Sequence, residues 1–206
     1  MVRKKVAILI FPGVELLDFC GPYEVLSACR LDAARRREDP SPFEIVLAAE
    51  TLEPVVCANG PRFLPDTLLA DCPLPDVLLV PGGLGVRTHI NNAPLIDWLR
   101  TVGSRVETLA GVCTGSMLLG KAGLLDGKRA TTHFASLQWM RDLFPAITVD
   151  DDSHVVTDGR ILTSAGISAG IDLAFRIVAQ YYGQAVAQAT ARHMEYPYRT
   201  DNRRRY

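Results

Sequence analysis

The hydrophobic positions along the chain form short continuous runs, separated by segments with helical spacing. Apolar runs of strand length cover residues 5–11, Phe43–Ala49, 76–80, 106–112 and 160–164. Strands that are buried on both faces of a sheet have this pattern. Helices are predicted over residues 21–34, 92–102, 114–122, 135–143, 170–182 and 184–194. The stretch 55–69 contains Gly60, Pro61 and Pro65 and is predicted to be irregular.

Strands that alternate with helices predict an α/β fold with a mainly parallel sheet and helices on both faces. The sequence has no linker, repeat or low-complexity stretch, and the polar loop 35–42 is too short to separate two domains. We therefore expect one domain over residues 1–206. Ligands of such sheets bind at the carboxyl ends of the strands, so we expect the chemistry just after the apolar runs.

Composition narrows the classes of partner. Apolar residues make up 48% and charged residues 22% of the chain, as in globular proteins, and the net charge of −1 provides no basic field for nucleic acid. The basic residues 203–205 are interpreted as a solvated tail. We find no signal peptide and no run near the roughly 18 apolar residues of a membrane span, so we expect a cytoplasmic protein without membrane or nucleic-acid partners.

The chain has five cysteines, at positions 20, 29, 57, 72 and 113. Their number is odd, their spacings are wide, and no C-x-x-C occurs, which argues against a disulfide framework and a cysteine-rich zinc site. We expect no metal and no other cofactor. Cysteines are often small core residues, and four of the five are interpreted in this way.

Cys113 is the exception, because it lies in a G-x-C-x-G segment, residues 111–115, between a predicted strand and a predicted helix. The serine version of this turn is the nucleophile elbow, which lifts a reactive side chain off the sheet edge. At a helix N-terminus the helix dipole and free N–H groups favour a thiolate, so we expect a lowered pKa at Cys113. The alternative is a buried structural cysteine between packing glycines.

Two further segments follow predicted strands. The N–H groups of Gly83 and Thr114 are predicted to hold a developing negative charge, although Pro81-Gly82-Gly83 is also compatible with a plain tight turn. Glu15 and Asp18 follow the first predicted strand and are candidate acids, with an ordinary helix N-cap before Pro22 as the alternative for Asp18.

The four histidines carry weaker signals. His133 lies near a predicted helix start, where a lone histidine is more often structural than catalytic. His89 and His154 are interpreted as loop residues and His193 as an exposed helix residue. No histidine adjoins Cys113 in sequence, so a Cys-His pair is not indicated.

Together, the segments that follow the strands resemble the ThiJ/PfpI superfamily. The matching segments are residues 11–18 (FPGVELLD) with Gly21-Pro22, 80–83 (VPGG), 112–116 (VCTGS), 119–125 (LGKAGLL), 129–133 (RATTH) and 162–172 (LTSAGISAGID). This resemblance covers nearly the whole chain. It implies a flavodoxin-like three-layer sandwich, a homodimer, and an acid hydrogen-bonded to the elbow cysteine, to which Asp18 corresponds.

The Leu-Asp before Gly-Pro and the Cys-Thr-Gly elbow are similar to the isocyanide hydratase branch. That resemblance implies a cofactor-independent lyase whose cysteine attacks an isocyanide to form a thioimidate, which water converts to an N-substituted formamide. Cys113 would be the nucleophile, Asp18 the proton relay, and Thr114 a contributor at the elbow. We expect Gly83, His133 and Ile167 to bind the small electrophilic substrate.

Departures from related branches limit the choice of function. Peptidase members carry Cys-His at the elbow, whereas this chain has Thr114. In certain transcription regulators the same domain precedes a helix-turn-helix DNA reader, which we do not expect here. Residues 195–206 do not match the C-terminal segment of the isocyanide hydratase branch. This difference weakens the assignment of substrate and not the assignment of fold. Glyoxalase-type conversion of aldehydes, oxidant sensing at Cys113 and ligand binding without turnover remain alternatives.

Overall fold

A computed structural model of the chain describes residues 2–199 and 201–204. A seven-stranded sheet lies at its centre, in the order β10-β11-β7-β6-β1-β2-β5, and β10 is its antiparallel strand. Its strands are β1 (Lys4–Leu9), β2 (Phe43–Ala49), β5 (Thr67–Leu68), β6 (Val77–Val80), β7 (Thr108–Val112), β10 (Val155–Asp158) and β11 (Ile161–Ser164). Two small ribbons pair β3 (Val55–Val56) with β4 (Arg62–Phe63) and β8 (Arg129–Ala130) with β9 (Thr148–Val149).

The helices cover both faces of this sheet. They are α1 (Leu16–Ala28), α2 (Val86–His89), α3 (Ala93–Gly103), α4 (Gly115–Lys121), α5 (Leu137–Leu143), α6 (Ala169–Tyr182) and α7 (Gln184–His193). Helix α6 packs against α1 and α7, whereas α4 packs against α2 and α3. The expected α/β sandwich, with a mainly parallel sheet between two helical layers, is confirmed.

Hydrophobic burial explains the central strands. Every residue of β6 and β7 is buried, as are residues 6–9 of β1, so these strands have apolar side chains on both faces. The predicted strand over Phe43–Ala49 matches β2 in both bounds. The stretch 55–69, predicted to be irregular, contributes the short strands β3, β4 and β5.

Helix α1 begins five residues earlier than predicted, at Leu16. Gly21, the predicted start, and Pro22 both lie inside α1. Gly21 has a packing role, because a Cβ there would lie 2.8 Å from Cγ1 of Ile171 on α6. The missing side chain lets the two helices approach closely, and Asp18 falls inside the helix.

Strand β10 was not predicted from the sequence. It pairs with β11 through a two-residue hairpin loop, Gly159-Arg160, in which Gly159 has a φ of 61°. Asp-Gly between apolar runs is a hairpin signal that the polar residues 150–153 obscured.

The chain end folds back on the domain, which corrects the interpretation of residues 203–205 as a solvated tail. Arg204 is partly buried and donates hydrogen bonds to the carbonyl oxygens of Asp151 and Thr132. Arg203 is exposed, and Arg205 lies outside the described residues. Among the described residues, no helix is long and apolar enough to cross a membrane.

Candidate active site

The carboxyl ends of four adjacent parallel strands form one edge of the sheet, and the candidate site lies there. Asp18 follows β1, Gly83 follows β6, Cys113 follows β7, and Ile167 follows β11. Segments that are far apart in sequence therefore meet at one place, as expected for a parallel α/β sheet.

Cys113 occupies a strained turn between β7 and α4. Its φ of 57° lies in the left-handed region, which is uncommon for a residue with a side chain. Small neighbours make the turn possible: a Cβ at Gly115 would lie 2.0 Å from the carbonyl oxygen of Val80, and one at Gly82 would lie 2.5 Å from the nitrogen of Thr114. The chain therefore has the strand-to-helix elbow geometry that the G-x-C-x-G pattern predicted.

Two backbone N–H groups point at the Cys113 sulfur. They belong to Thr114 and Ile167, and both lower the pKa of the thiol by stabilising its anion. Ile167 has a φ of 50°, so a second strained residue is used to aim one of these donors. The sulfur can therefore accept negative charge in directions that the backbone fixes.

Asp18 lies beneath the elbow, in the first turn of α1, and is completely buried. Its Oδ2 accepts a hydrogen bond of 2.9 Å from the N–H of Gly82. Its Oδ1 is buried without a partner of good geometry among the described residues, and the Cys113 thiol acts on the carboxyl as a weak hydrogen-bond donor. Asp18 therefore contacts the elbow from inside the fold and is not a helix N-cap.

The electrostatics of this pair are opposite to the expected activated thiolate. Burial, followed by the charge of Asp18, raises the pKa of the Cys113 thiol to about 12 and outweighs the two N–H donors. Burial also raises the pKa of Asp18 to about 7, and the charge of Glu15 adds to the increase. The resting site is therefore a protonated thiol beside a carboxyl that titrates near neutral pH.

Gly83 and Thr114 do not form the expected pair of open donors. The N–H of Gly83 donates to Oγ1 of Thr114 at 3.0 Å, so the threonine hydroxyl already uses it. The N–H of Thr114 is directed at the Cys113 sulfur. Thr114 therefore joins the β6 turn to the elbow, and the available backbone donors serve the sulfur.

A cavity of about 230 Å³ opens above Cys113. Five of the six expected site residues line it, namely Gly83, Cys113, Thr114, His133 and Ile167. Asp18 is the sixth, and it lies buried behind the sulfur. The structure thus brings all six to one place.

His133 is a half-buried wall residue of this cavity. Its Nδ1 accepts a hydrogen bond of 3.2 Å from the N–H of Ala135, which caps a short 3₁₀ helix, Phe134–Ser136. Burial and the charge of Arg204 lower the pKa of His133, so the ring is neutral at neutral pH. With Nδ1 as acceptor, the proton is on Nε2.

Of the two histidines interpreted as loop residues, His154 does lie in the loop before β10, whereas His89 lies in α2. His154 is buried, and its Nε2 lies 3.1 Å from Oδ2 of Asp172 on α6. His89 ends α2, with its ring 4.9 Å from that of Phe11. His193 is exposed on α7, as predicted.

Several further residues line the cavity, and of these only Glu15 was a candidate from the sequence. Glu15, Arg87 and Trp139 contribute to its wall, and the Arg87 guanidinium lies over the Trp139 ring, 5.2 Å from the centroid. Glu15 immediately precedes α1, three residues before Asp18, so its position after the first strand brings it to the site. Arg87 and Trp139 have no comparable signal, because only the fold brings α2 and α5 together here.

Comparison with known proteins identifies the family. The sequence profile of the DJ-1/PfpI family matches residues 4–180. The chain belongs to this family. An isonitrile hydratase of Pseudomonas putida is 38% identical over 195 residues, which are 93% of this chain and 78% of that protein.

Two more relatives are similar to most of the chain. A crystal structure of a ThiJ/PfpI family protein from Pseudomonas syringae superposes with a TM-score of 0.85 at 29% identity, covering 96% of this chain and 76% of that one. The HTH-type transcriptional regulator CdhR of Pseudomonas aeruginosa is 32% identical over 179 residues. These are 87% of this chain and 51% of the regulator, so the chain spans about half of that protein.

Proposed function

We propose that this protein is a cofactor-independent lyase that adds water to an isocyanide and releases an N-substituted formamide. The observation that carries the proposal is the buried Asp18–Cys113 pair at the base of a cavity, with two backbone N–H groups aimed at the sulfur. The similarity to an isonitrile hydratase supports the choice of substrate class.

The raised pKa of Cys113 determines how the first step must run. Because the thiol is protonated at rest, the Asp18 carboxylate accepts its proton while sulfur attacks the isocyanide carbon. A C–S bond forms, the electron pair of one C–N π bond moves to nitrogen, and the lone pair that the isocyanide carbon already holds becomes a carbanion. Asp18 then delivers the proton to that carbon, which gives a thioimidate on Cys113 and restores the carboxylate.

Water completes the reaction. Asp18 takes a proton from water as the water oxygen attacks the thioimidate carbon. It then returns this proton to the thioimidate nitrogen. Asp18 then accepts the hydroxyl proton as the C–S bond breaks, and passes it to the departing sulfur. The products are the formamide and the free thiol, so one isocyanide and one water are consumed and the enzyme is regenerated. The N–H groups of Thr114 and Ile167 stabilise sulfur while it carries charge.

The remaining site residues are proposed to bind the substrate. Gly83, His133 and Ile167 line the cavity beside the sulfur, and the neutral His133 offers Nε2–H as a donor. An isocyanide is uncharged and compact, so apolar walls with few donors suit it.

The decisive experiment is a turnover assay without added cofactor. Purified protein mixed with a simple alkyl isocyanide should yield the matching formamide, detected by proton NMR. Cys113→Ala should abolish the product, whereas Cys29→Ala removes another buried thiol and should retain activity. Turnover of methylglyoxal without formamide production would contradict this proposal and support a glyoxalase-type activity. Selective peroxide oxidation of Cys113 without turnover of either substrate would favour a sensor.

We also propose that residues 1–206 act as one domain that assembles into a homodimer. Support comes from exposed apolar side chains on α1, Leu17 and Tyr23, and from Val56 on β3, whose carbonyl accepts from Gly13 just before α1. Sedimentation equilibrium should give twice the monomer mass and calorimetry a single unfolding transition. A monomer at micromolar concentration would contradict the dimer.

A further inference from the structure

Residues 202–204, here called the C-terminal clamp, lie along the β10 edge of the central sheet. Asn202 binds the backbone of Val155 on both sides: Oδ1 accepts from its N–H at 3.0 Å, and Nδ2 donates to its carbonyl at 2.8 Å. The carbonyl of Asn202 accepts from the N–H of His154 at 2.7 Å, and Arg203 forms a β-bridge with Ser153. The clamp therefore covers an edge that would otherwise expose unpaired backbone groups.

Arg204 extends from the clamp to a different part of the fold. Its Nη1 donates to the carbonyl oxygen of Thr132 at 3.1 Å, and its Nη2 donates to Oγ1 of Thr131. Its Nε donates to the carbonyl oxygen of Asp151 at 2.9 Å. The planar guanidinium thus holds two neighbouring residues of one segment at the same time, which a point charge could not do with the same geometry.

The segment held by Arg204 leads directly to the candidate active site. Oγ1 of Thr132 donates to the carbonyl oxygen of Cys113 at 3.0 Å, inside the strained elbow. The next residue, His133, lines the cavity, and its ring packs on Gly166, where a Cβ would lie 2.1 Å from Cδ2. Two hydrogen bonds therefore link Arg204 to the elbow backbone, and its contact residue Thr132 is directly followed in sequence by the wall residue His133.

We propose that Arg204 is a positioning residue, which fixes Thr132 and His133 and thereby the Cys113 elbow and the cavity wall. The expected effect of Arg204 on turnover rests on the proposed hydratase function. Its expected effect on the geometry of Cys113 and His133 does not. Its charge acts as well, because burial lowers the pKa of His133 and the nearby guanidinium of Arg204 lowers it further.

Three variants separate charge, geometry and simple loss of a tail residue. Arg204→Ala removes both the charge and the fork of donors. Arg204→Lys keeps the charge but not the paired contact with Thr131 and Thr132. Arg203→Ala is the matched control, since it removes the neighbouring exposed arginine in the same clamp.

The readouts are the NMR titration of the His133 ring, the rate at which iodoacetamide alkylates Cys113, and kcat and KM for an alkyl isocyanide. We expect Arg204→Ala to raise the pKa of His133, to change the alkylation rate, and to lower kcat/KM about 10- to 100-fold, as displaced active-site groups do. Arg204→Lys should keep the His133 titration near that of wild type and recover only part of kcat/KM. Arg203→Ala should match wild type throughout.

The outcomes distinguish this proposal from the proposed function. A wild type without hydratase activity would remove the function, while His133 titration and Cys113 alkylation would still test the positioning. Folded Arg204→Ala with the alkylation rate and kinetics of Arg203→Ala would overturn the positioning role, even if the His133 titration moved. Should Arg204→Ala not fold, Arg204→Lys must show the partial loss in kcat/KM, and wild-type kinetics for it would overturn the proposal.

Discussion

The thiol of Cys113 and the carboxyl of Asp18 are buried together and change each other's pKa in opposite directions. The Asp18 charge raises the pKa of the thiol, whereas the thiol, as a donor, lowers the pKa of the carboxyl. The proton therefore rests on sulfur, with the carboxylate beside it as its nearest acceptor. In this arrangement the nucleophile is formed during the reaction, in place of a stored thiolate.

The first prediction is the pH dependence of turnover. Because only ionised Asp18 can accept the thiol proton, kcat/KM for an alkyl isocyanide should rise with pH through an apparent pKa near 7 and then level off. Asp18→Asn keeps an acceptor for the N–H of Gly82 but has no base, so kcat should fall by about 100-fold or more. A pH profile that is flat from 5 to 9 in the wild type, or full turnover by folded Asp18→Asn, would contradict this role.

The second prediction concerns stability. Below the ordinary aspartate pKa of 3.8, Asp18 is protonated in both the folded and the unfolded chain. Between pH 3.8 and about pH 7, the unfolded chain loses this proton, whereas the folded chain keeps it because its Asp18 pKa is raised to about 7. The free energy of unfolding should therefore decline across this window, by at most about 4 kcal/mol from this group.

Urea denaturation at several pH values checks it by comparison of variants. Asp18→Asn should lack the decline and be more stable than wild type at pH 8, by roughly 2 kcal/mol. The exposed Asp71→Asn is the control and should follow the wild-type curve. Parallel curves for Asp18→Asn and wild type would mean that Asp18 titrates alike in both states.

Burial depth is what the sequence could not show at this site. The G-x-C-x-G pattern correctly placed Cys113 on a strand-to-helix elbow, and the resemblance to the ThiJ/PfpI superfamily indicated Asp18 and Ile167, which lie at the same sheet edge. The expected low thiol pKa was wrong, because the same turn places the sulfur below the surface and beside a carboxyl. A hydrogen bond from the backbone to a side chain also escaped prediction: the N–H of Gly83 donates to the Thr114 hydroxyl.

The fold was predictable where burial dominates and less so where single turns decide. Continuous apolar runs gave β1, β6 and β7, which are covered on both faces over most of their length, and β2, which is buried over residues 47–49. Strand β10 was missed, since one short hairpin and the folded-back chain end stabilise it. Arg204 was misplaced for a related reason: a basic run normally favours solvent, but backbone carbonyls here provide specific acceptors.

The third prediction is the reactivity of the thiols. A limiting amount of iodoacetamide at pH 8 should label Cys113 before Cys29, because Cys113 lines the cavity and has Asp18 to accept its proton, whereas Cys29 is sealed in the core. The labelling rate should rise with pH around 7 and lose that dependence in Asp18→Asn. Peptide mapping that finds Cys29 or Cys57 labelled first would remove Cys113 from its proposed role.

The fourth prediction separates binding from chemistry at the cavity wall. Trp139 presents its ring to the cavity and to the Arg87 guanidinium, but has no part in the proton transfer between Cys113 and Asp18. Trp139→Ala should raise KM for an alkyl isocyanide about 10-fold, the effect of losing one large apolar contact, and change kcat much less. Binding energy that is equal in the ground state and the transition state acts in this way.

Leu143 provides the matched control, because it is exposed at the end of the same helix, α5, and is not among the residues that line the cavity. Leu143→Ala should leave KM at the wild-type value, so any general loosening of α5 would show in both variants. Steady-state kinetics with one alkyl isocyanide at pH 8 measures the comparison. If Trp139→Ala lowered kcat and left KM unchanged, the indole would act in the chemical step, and the division between a binding wall and a Cys113–Asp18 reaction centre would be wrong.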